Sequence, residues 1–374
     1  MKLTRGLVRH IAVTAMSFAV VGLFVIMMIN ISFLNPIARA FGSFSTIDIY
    51  YQMLVDDPVV STDISIIDIS TVESRRDIAA IINEAESLGP KTIGMDIVFA
   101  NWKDADGGDD MIMNIAGKYD NIVFAANCQF DAVRQSYLKN RSFFTPFINV
   151  KEGMTNFNRE LYSDMKRDMN IGICLGDSLW PSFAWLTASV SSDGITPLKD
   201  RKEVIDFSPT LFPVIAPDSI TAKSDLIKDR IILIGAVGDD VDRHYTPLGK
   251  ISGVELQAYS IQTLLQRKSV RPMPAVVVAV LSFLIVLITE WLQEKYIQVV
   301  GWSKFVIVRH FLSTDMALGA VTFVWMLILL YISVILFAKT RMSIDIGWAL
   351  SAIAILAATR NFYNTCISIK RNNK

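Results

Sequence analysis

Four long apolar runs stand out along the chain. They cover residues 11–34, 275–292, 316–337 and 344–358. A helix needs about 20 predominantly apolar residues to cross the roughly 30 Å of hydrocarbon in a bilayer. The first three runs approach or exceed that length, whereas the fourth has only 15 residues. The pattern predicts about four transmembrane α-helices, with one before and three after a long central segment.

The start of the first run allows two interpretations. Three bases, Lys2, Arg5 and Arg9, precede it, as in a secretory signal sequence, and residues 38–40 resemble a cleavage site. The apolar stretch of a removable signal is about 7–15 residues long. This run is longer, so we favour a retained anchor. Both interpretations export the segment that follows.

The bases near the ends of the predicted spans indicate the orientation, because cytoplasmic loops carry an excess of Lys and Arg. If both termini are cytoplasmic, ten such bases lie on the inner side and six on the outer side. Three of those six, Arg267, Lys268 and Arg271, oppose the assignment. The balance predicts a multi-pass protein of a bacterial inner (cytoplasmic) membrane, with its central segment in the periplasm.

The predicted spans divide the chain into four parts. Residues 1–39 form a cytoplasmic N-terminal segment and the first helix, and residues 40–271 form an extracytoplasmic domain. Residues 272–359 contain three further helices, and residues 360–374 form a short basic cytoplasmic tail. Because this tail is too short to bury a catalytic core, we expect no cytoplasmic enzyme on this chain.

Within the central segment, short β-branched runs alternate with helical patterns. Strands are predicted at 64–69, 92–99, 121–127 and 230–235, and helices at 76–87, 110–119 and 254–266. This alternation is typical of an α/β fold with a mostly parallel sheet and flanking helices. Six prolines interrupt the patterns between residues 129 and 228, so no elements are assigned there.

Composition and charge agree with a membrane protein that carries an acidic domain. The apolar content is 52%, which is too high for an ordinary soluble protein. Residues 40–271 hold 32 of the 36 acids but only 23 of the 36 bases. An acidic domain cannot neutralise a row of phosphates, so nucleic acid is excluded as a partner.

Several stretches of the central segment resemble the second CHASE-type family of extracellular sensor domains, which are associated with cyclases and histidine kinases. The matching stretches are residues 66–70, 89–99, 229–236, 246–249 and 253–258. The resemblance covers about residues 45–270. One helix before the domain and about three after it is the usual setting of that family, and the predicted spans agree with it. The resemblance implies a membrane sensor.

The chain also departs from that family's pattern. Residues 71–77 replace a segment that is often rich in Trp and Pro, and Gln257 stands where a His is usual. Members of the family normally continue into an output domain, whereas this chain ends 16 residues after residue 358. The resemblance therefore implies a sensor whose output lies on another protein.

Candidate ligand-binding residues lie at the ends of the predicted strands. Ligands bind beyond the carboxyl ends of strands in open parallel sheets, and the loop 235–244 leaves the last strand at that edge. A cleft there would bind a small polar ligand or a cation. Its candidate residues are Asp68, Asp96, Asp239, Asp240, Asp242, Arg243, His244, Thr246 and Glu255. In the alternative interpretation, which is the commoner situation, such aspartates only cap the turns that follow strands.

Other chemistry finds little support in the sequence. Residues 104–110 are acidic but lack the register of a calcium loop, so we interpret them as a solvated turn with a helix cap. Cys128 and Cys174 could form a disulfide or remain free thiols. No metal-binding spacing and no nucleophile elbow occur. We expect no cofactor, no metal site and no catalytic residue.

These observations favour a membrane sensor or regulatory protein that is not an enzyme. Its expected partners are the lipid bilayer, a small-molecule or envelope ligand, and a separate signalling or membrane protein. The alternative is a structural or assembly protein whose exported domain docks envelope components. A transporter is disfavoured because Glu290, near one end of a span, is the only charge inside the predicted spans apart from interfacial residues.

Overall fold

The computed structural model describes residues 2–30, 45–53, 57–103, 107–131, 136–156, 164–238, 242–302 and 304–372. The chain divides into two units. Tyr51–Val270 form one unit, which we call the α/β unit. Met1–Tyr50 and Arg271–Lys374 form the other, which we call the helical unit. Each unit is considered by itself.

The helices and strands among the described residues have the following bounds. The α-helices are α1 (Lys2–Asn30), α2 (Thr46–Met53), α3 (Arg75–Ser87), α4 (Gly108–Lys118), α5 (Phe183–Ser191), α6 (Gly253–Gln266), α7 (Ala275–Gly301), α8 (Val306–Leu312), α9 (Asp315–Thr340), α10 (Gly347–Ala354) and α11 (Leu356–Asn372). The strands are β1 (Val59–Val60), β2 (Ile64–Asp68), β3 (Thr92–Met95), β4 (Ile122–Asp131), β5 (Ser136–Asn140), β6 (Lys151–Met154), β7 (Asp168–Leu175), β8 (Ser178–Pro181), β9 (Arg201–Val204), β10 (Thr210–Leu211), β11 (Val214–Ile215), β12 (Ile231–Gly235), β13 (Arg243–Thr246), β14 (Gly249–Ser252), β15 (Arg271–Pro272) and β16 (Met342–Ser343).

The largest sheet of the α/β unit has the strand order β11-β2-β12-β3-β4-β5, with β6 also paired to β4. Strands β2, β3 and β12 are almost wholly buried and read as continuous apolar runs. Strands that are covered on both faces have this composition. The pairings in this sheet are parallel except for β4 with β5. Smaller sheets with antiparallel pairs complete a mixed domain, and the predicted α/β class is confirmed.

Helices cover both faces of this sheet. On one face, α3 and α4 pack against isoleucines of β2, β3 and β12 to form the main core. Helix α3 begins where the Ser74 side chain accepts hydrogen bonds from the backbone N–H groups of Arg76 and Asp77. On the other face α5 approaches β3 closely, because a Cβ built at Gly94 would lie 3.0 Å from the ring of Phe183. Helix α6 also contacts β12 and β2.

The middle of the domain, which the sequence leaves unassigned, contributes β5 to β11 and helix α5. A separate sheet with the order β8-β7-β9 forms there. Helix α5 follows Pro181 and is capped by Ser182, which accepts a hydrogen bond from the backbone N–H of Trp185. Two short 3-10 helices, Pro217–Ser219 and Thr221–Leu226, lead into β12.

The helical unit contains three helices among the described residues that are long and apolar enough to cross a membrane. They span Gly6–Met28, Ala275–Gly301 and Asp315–Thr340. The first three predicted spans correspond to them. The predicted fourth span, residues 344–358, does not form one long helix, and the count of four is not confirmed. A turn at Ile355 separates α10 from α11, and the apolar run ends where Thr359 and Arg360 begin the polar part of α11.

Two features tie the segments of the helical unit together. Strands β15 and β16 pair in parallel, so that Arg271 lies beside Met342 just before α7 begins. Helix α1 packs against α7, α10 and α11. The core of the helical unit includes Val13 and Val21 from α1 together with Val286 from α7.

The approach of β6 to α5 gives a test of the packing in the α/β unit. A Cβ at Gly153 would lie 2.5 Å from the Cα of Phe183, so Gly153→Ala forces the strand and the helix apart. We expect the free energy of unfolding to fall by about 1–3 kcal/mol. The change is measured by chemical denaturation of the full chain in detergent, with the unfolded fraction monitored by its susceptibility to a protease.

Gly117→Ala is the matched control. Gly117 lies on α4, and a Cβ there would meet only Ile148, at 4.0 Å. Since Ala is a better helix former than Gly, this variant should gain roughly 0.5–1 kcal/mol. Equal stability of the two variants would contradict the close packing of β6 on α5.

Candidate functional site

Three strands of the parallel sheet end at one edge, and their last residues lie side by side. Strand β12 lies between β2 and β3, with Gly235 opposite Asp68. Asp96 directly follows β3, and its backbone N–H donates to the carbonyl of Ile234 at 2.9 Å. A Cβ at Gly235 would lie 3.0 Å from the side chain of Val254 and 3.3 Å from Cβ of Asp96. Glycine at the end of β12 therefore lets Asp68, Asp96 and the start of α6 come together.

Asp68 holds two loops at this edge. Its Oδ1 accepts hydrogen bonds from the Ser70 N–H at 2.9 Å, the Ser70 hydroxyl at 2.5 Å and the Val237 N–H at 3.0 Å. The Ser70 hydroxyl in turn accepts from the Gly238 N–H at 2.8 Å. Burial alone would raise the pKa of Asp68, but these hydrogen bonds lower it. The geometry is that of a turn-capping aspartate, which is the alternative that the sequence left open.

Asp96 has a different environment. Asp96 is partly exposed at this edge of the sheet, and Asp242 and His244 lie close enough to act on its charge; we call the group of these three side chains the crevice. No described residue donates a hydrogen bond to the Asp96 carboxyl group. Desolvation by the surrounding protein raises the pKa of Asp96 to about 7, with a further contribution from the negative charge of Asp242 and an opposing one from His244. A carboxyl group with such a pKa exchanges its proton near neutral pH.

Asp242 and His244 form a pair next to Asp96. His244 Nε2 lies 3.1 Å from Asp242 Oδ1. The hydrogen bond from His244 lowers the pKa of Asp242 and outweighs the opposite effect of burial. Asp242 also lies against the first turn of α6, since a Cβ at Gly253 would come within 2.1 Å of Asp242 Oδ2. Gly253 thus makes room for a carboxylate at a helix N-terminus, where negative charge is favoured.

Two other predicted site residues satisfy their hydrogen bonds within the fold. Thr246 is buried; its hydroxyl donates to the Gly249 carbonyl at 2.9 Å and closes the hairpin of β13 and β14. Glu255 forms a capping box with Ser252 at the start of α6. Both serve the architecture of this edge.

The remaining predicted residues are less central to this crevice. Arg243 begins β13 and is partly buried. Asp239 and Asp240 lie outside the described residues. The structure thus brings together Asp68, Asp96, Asp242 and His244 at one edge. Oδ1 of Asp68 is engaged by the turn, whereas the Asp96 carboxyl group accepts no hydrogen bond from a described residue.

One acidic residue that the sequence placed in a solvated turn is instead buried. Asp109, in the first turn of α4, forms an ion pair with the buried Arg75. Its other carboxyl oxygen accepts a hydrogen bond from the Lys103 N–H at 2.5 Å. The Arg75 guanidinium also lies over the rings of Phe99 and Phe143. The polar run resembled a surface loop, and no local signal marked its partner 34 residues earlier.

Groups that could hold a metal ion, with three or more His, Cys, Asp or Glu side chains, are absent from the described parts of the chain. Cys128 and Cys174 are both free thiols. Burial raises the pKa of the partly buried Cys128, and a hydrogen bond with Asp200 raises the pKa of the exposed Cys174.

The raised pKa of Asp96 predicts how stability depends on pH. An ordinary Asp in the unfolded chain titrates near 3.8 and the folded group near 7. The folded state therefore binds the proton of Asp96 more tightly than the unfolded chain does. This difference contributes fully to the free energy of unfolding below about pH 4. That contribution is lost as the pH rises to about 7, by up to about 4 kcal/mol.

Asp96→Asn stays neutral and should lose this dependence. We expect the variant to match the wild type near pH 4 and to unfold at a higher denaturant concentration at pH 8. Asp218→Asn, at an exposed site, is the control and should follow the wild type. The assignment fails if Asp96→Asn is no more stable than the wild type at pH 8.

Comparison with known proteins places the chain in a family. No curated protein and no solved structure matches it. A family model, the CHASE2 domain, matches residues 20–292, which is nearly three quarters of the chain. The match takes in the whole α/β unit, the sheet edge with Asp96, and parts of the flanking helices α1 and α7. The chain therefore belongs to the CHASE2 domain family.

Proposed function

We propose that this protein is a membrane sensor whose α/β unit lies outside the cytoplasm and whose output is produced by a separate protein. The observation that carries the proposal is the CHASE2 match, because CHASE2 is a family of sensory extracellular domains. The three apolar helices provide the membrane anchor that such a sensor needs.

In this proposal the protein crosses a bacterial inner membrane four times. Strand pairing puts Met342 and Ser343 beside the start of α7. Arg360 of α11 reaches Glu290, which lies 15 residues further along α7. Helices α10 and α11 thus follow α7 from its start to Glu290, which supports a broken fourth crossing. This crossing returns the basic residues Lys370 and Arg371 to the cytoplasmic side, in agreement with the positive-inside rule.

The ligand site of the proposed sensor is the crevice of Asp96, Asp242 and His244. Two carboxyl groups interact electrostatically there, and the negative charge of Asp242 helps to hold a proton on Asp96. A cation or a small molecule with an amino group would replace that proton and relieve the repulsion. The site therefore favours small polar ligands that carry positive charge.

A specific surface feature favours the second candidate function, a role in envelope assembly. The paired strands β1 and β10 expose Val59, Val60 and Leu211, with exposed fractions of 69%, 57% and 54%. Exposed apolar side chains that cluster often mark protein contacts. An envelope protein docked on this pair would make the α/β unit a scaffold rather than a receptor.

Ligand binding by the full chain tests the sensor. We expect at least one cationic compound, from a set of divalent cations, amino acids and polyamines, to raise the melting temperature of the purified protein in detergent. Because binding displaces a proton from Asp96, the affinity should be roughly tenfold weaker at pH 6 than at pH 8. Asp96→Asn and Asp242→Asn should abolish the shift, and Asp218→Asn should retain it.

Two results would turn the conclusion toward assembly. One is that no compound stabilises the wild type. The other is that a copurifying envelope protein is lost from Val60→Glu but retained by the Asp96→Asn variant. If a compound still raises the melting temperature of the Asp96→Asn variant, the crevice is not the ligand site. The sensor function would then belong to another surface of the protein.

A further inference from the structure

Five charged or imidazole side chains meet inside the helical unit. Helix α7 contributes Glu290 and Glu294, α1 contributes Arg9 and His10, and α11 contributes Arg360. Glu290 is completely buried, and Arg360 is 7% exposed. The sequence showed Glu290 as an isolated charge near the end of a span. The structure shows that it is the centre of a network, and ionisable groups within a membrane helix bundle mark function.

The contact between α7 and α11 is the fixed part of this network. Arg360 Nε donates to Glu290 Oε2 at 2.8 Å, and Nη2 of the same guanidinium also reaches that oxygen. Arg360 Nη2 further donates to the side-chain carbonyl of Gln293. Several charge-assisted bonds to two residues of one helix turn hold these helices firmly.

The contact between α1 and α7 is less completely satisfied. Arg9 forms an ion pair with Glu294, and His10 lies between the two carboxylates. His10 Nε2 is 3.0 Å from Glu294, but Nδ1 is 3.4 Å from Glu290 Oε1, which is too long for a strong hydrogen bond. Arg9 Nε is buried and has no partner among the described residues. The observed position thus leaves bonding capacity unused on Arg9 and on Glu290.

The two carboxylates are spaced to serve either of two positions of α1. Glu290 and Glu294 are four residues apart, so they lie on one face of α7, about one turn or 6 Å apart along its axis. The helices run in opposite directions, since Arg9 meets Glu294 whereas the ring of Phe18 stacks 6.1 Å from that of Phe283. A displacement of α1 by one turn would move Arg9 and His10 from Glu294 to Glu290.

Such a displacement would separate the stacked rings of Phe18 and Phe283 and break the hydrogen bond between Ser17 and Thr359, so the observed position is the favoured one. The buried side chains around the contact are small or β-branched. They are Val13, Thr14, Ser17 and Val21 on α1, and Ser282 and Val286 on α7. One-turn movements of packed helices are a known form of two-state change in proteins.

We propose that α1 has two charge-matched positions along α7, one turn apart, and that the structure holds the position in which Arg9 pairs with Glu294. In the second position, Arg9 and His10 complete the bonds of Glu290 Oε1, while Arg360 keeps Oε2. Glu294, which is already 30% exposed, is released to solvent. The Glu290–Arg360 pair is the pivot, and Glu294 is the residue that distinguishes the two positions.

In the chain, α1 precedes the α/β unit and α7 follows it, so a relative movement of these helices is a route for a signal. The role of this movement in signalling rests on the proposed sensor function. The existence of two positions of α1 does not rest on it, because the two positions are tested without any ligand.

Disulfide cross-linking in the full chain distinguishes the two positions. After Cys128, Cys174 and Cys366 are replaced by Ser, the pair Phe18→Cys with Phe283→Cys reports the observed position. The pair Phe18→Cys with Ala279→Cys reports the shifted one, because Ala279 lies one turn before Phe283 on α7. We expect the first pair to dominate in membranes and the second to form at a lower but measurable yield.

Removing the Glu294 carboxylate should shift the balance. Glu294→Gln leaves the Glu290–Arg360 pair intact, and the yield ratio of the second pair to the first should rise about threefold or more. Glu294→Lys, which repels Arg9, should raise the ratio further. It replaces Glu294→Gln in the test if the Gln variant is poorly produced. Glu294→Asp should restore the wild-type ratio.

Lys295→Gln is the matched control, because it also removes one charge, at the next position of α7. Lys295 contacts Gln298 of its own helix, so the ratio should remain unchanged. The proposal is overturned if the second pair never forms above background, or if Glu294→Gln and Glu294→Lys leave the ratio unchanged. The cluster would then be a static joint, whether or not the α/β unit binds a ligand.

Discussion

The position of β12 between β2 and β3 is the constraint on which the α/β unit depends. Parallel neighbours must be joined by long connections, and here β12 enters the sheet more than 130 residues after β3. Its insertion brings Gly235 between Asp68 and Asp96 and directs the following chain toward the start of α6. The crevice exists because three strand ends from distant parts of the sequence meet there.

The strongest elements could be predicted from the sequence because their signals are local. The buried runs of β2 and β12, and the spaced isoleucines of α3, leave little choice of structure. The prediction for β3 extended to residue 99, whereas the strand ends at Met95. Beyond it the chain leaves the sheet as Asp96 enters the crevice, and Phe99 packs with Phe124 in the core.

The middle of the domain could not be predicted, for a physical reason. Strands β8 to β11 have only two to four residues each, so their pairing partners, rather than their own periodicity, determine them. The burial of Asp109 depends in the same way on Arg75. A polar run looks the same in sequence whether its carboxylate meets water or a buried guanidinium.

The candidate site was predictable in place but not in detail. The topology rule located the correct edge of the sheet, and the residue types suggested carboxylate chemistry. These sequence signals could not distinguish Asp68, whose Oδ1 accepts three hydrogen bonds, from Asp96, which accepts none from the described residues.

In the helical unit, the partners of Glu290 lie 280 residues before it and 70 residues after it. Such distances are beyond the reach of sequence patterns.

The order of these partners along the chain also bears on how the protein is made. Arg9 and His10 are synthesised first, Glu290 and Glu294 next, and Arg360 last. At synthesis rates of roughly 5–20 residues per second, Arg360 follows Glu290 by on the order of ten seconds. During that interval the carboxylates of α7 have only Arg9 and His10 of α1 as partners from this cluster. Until the last helix is made, the first helix is thus the only source of side chains from this cluster for Glu290, a carboxyl group that is completely buried in the finished protein.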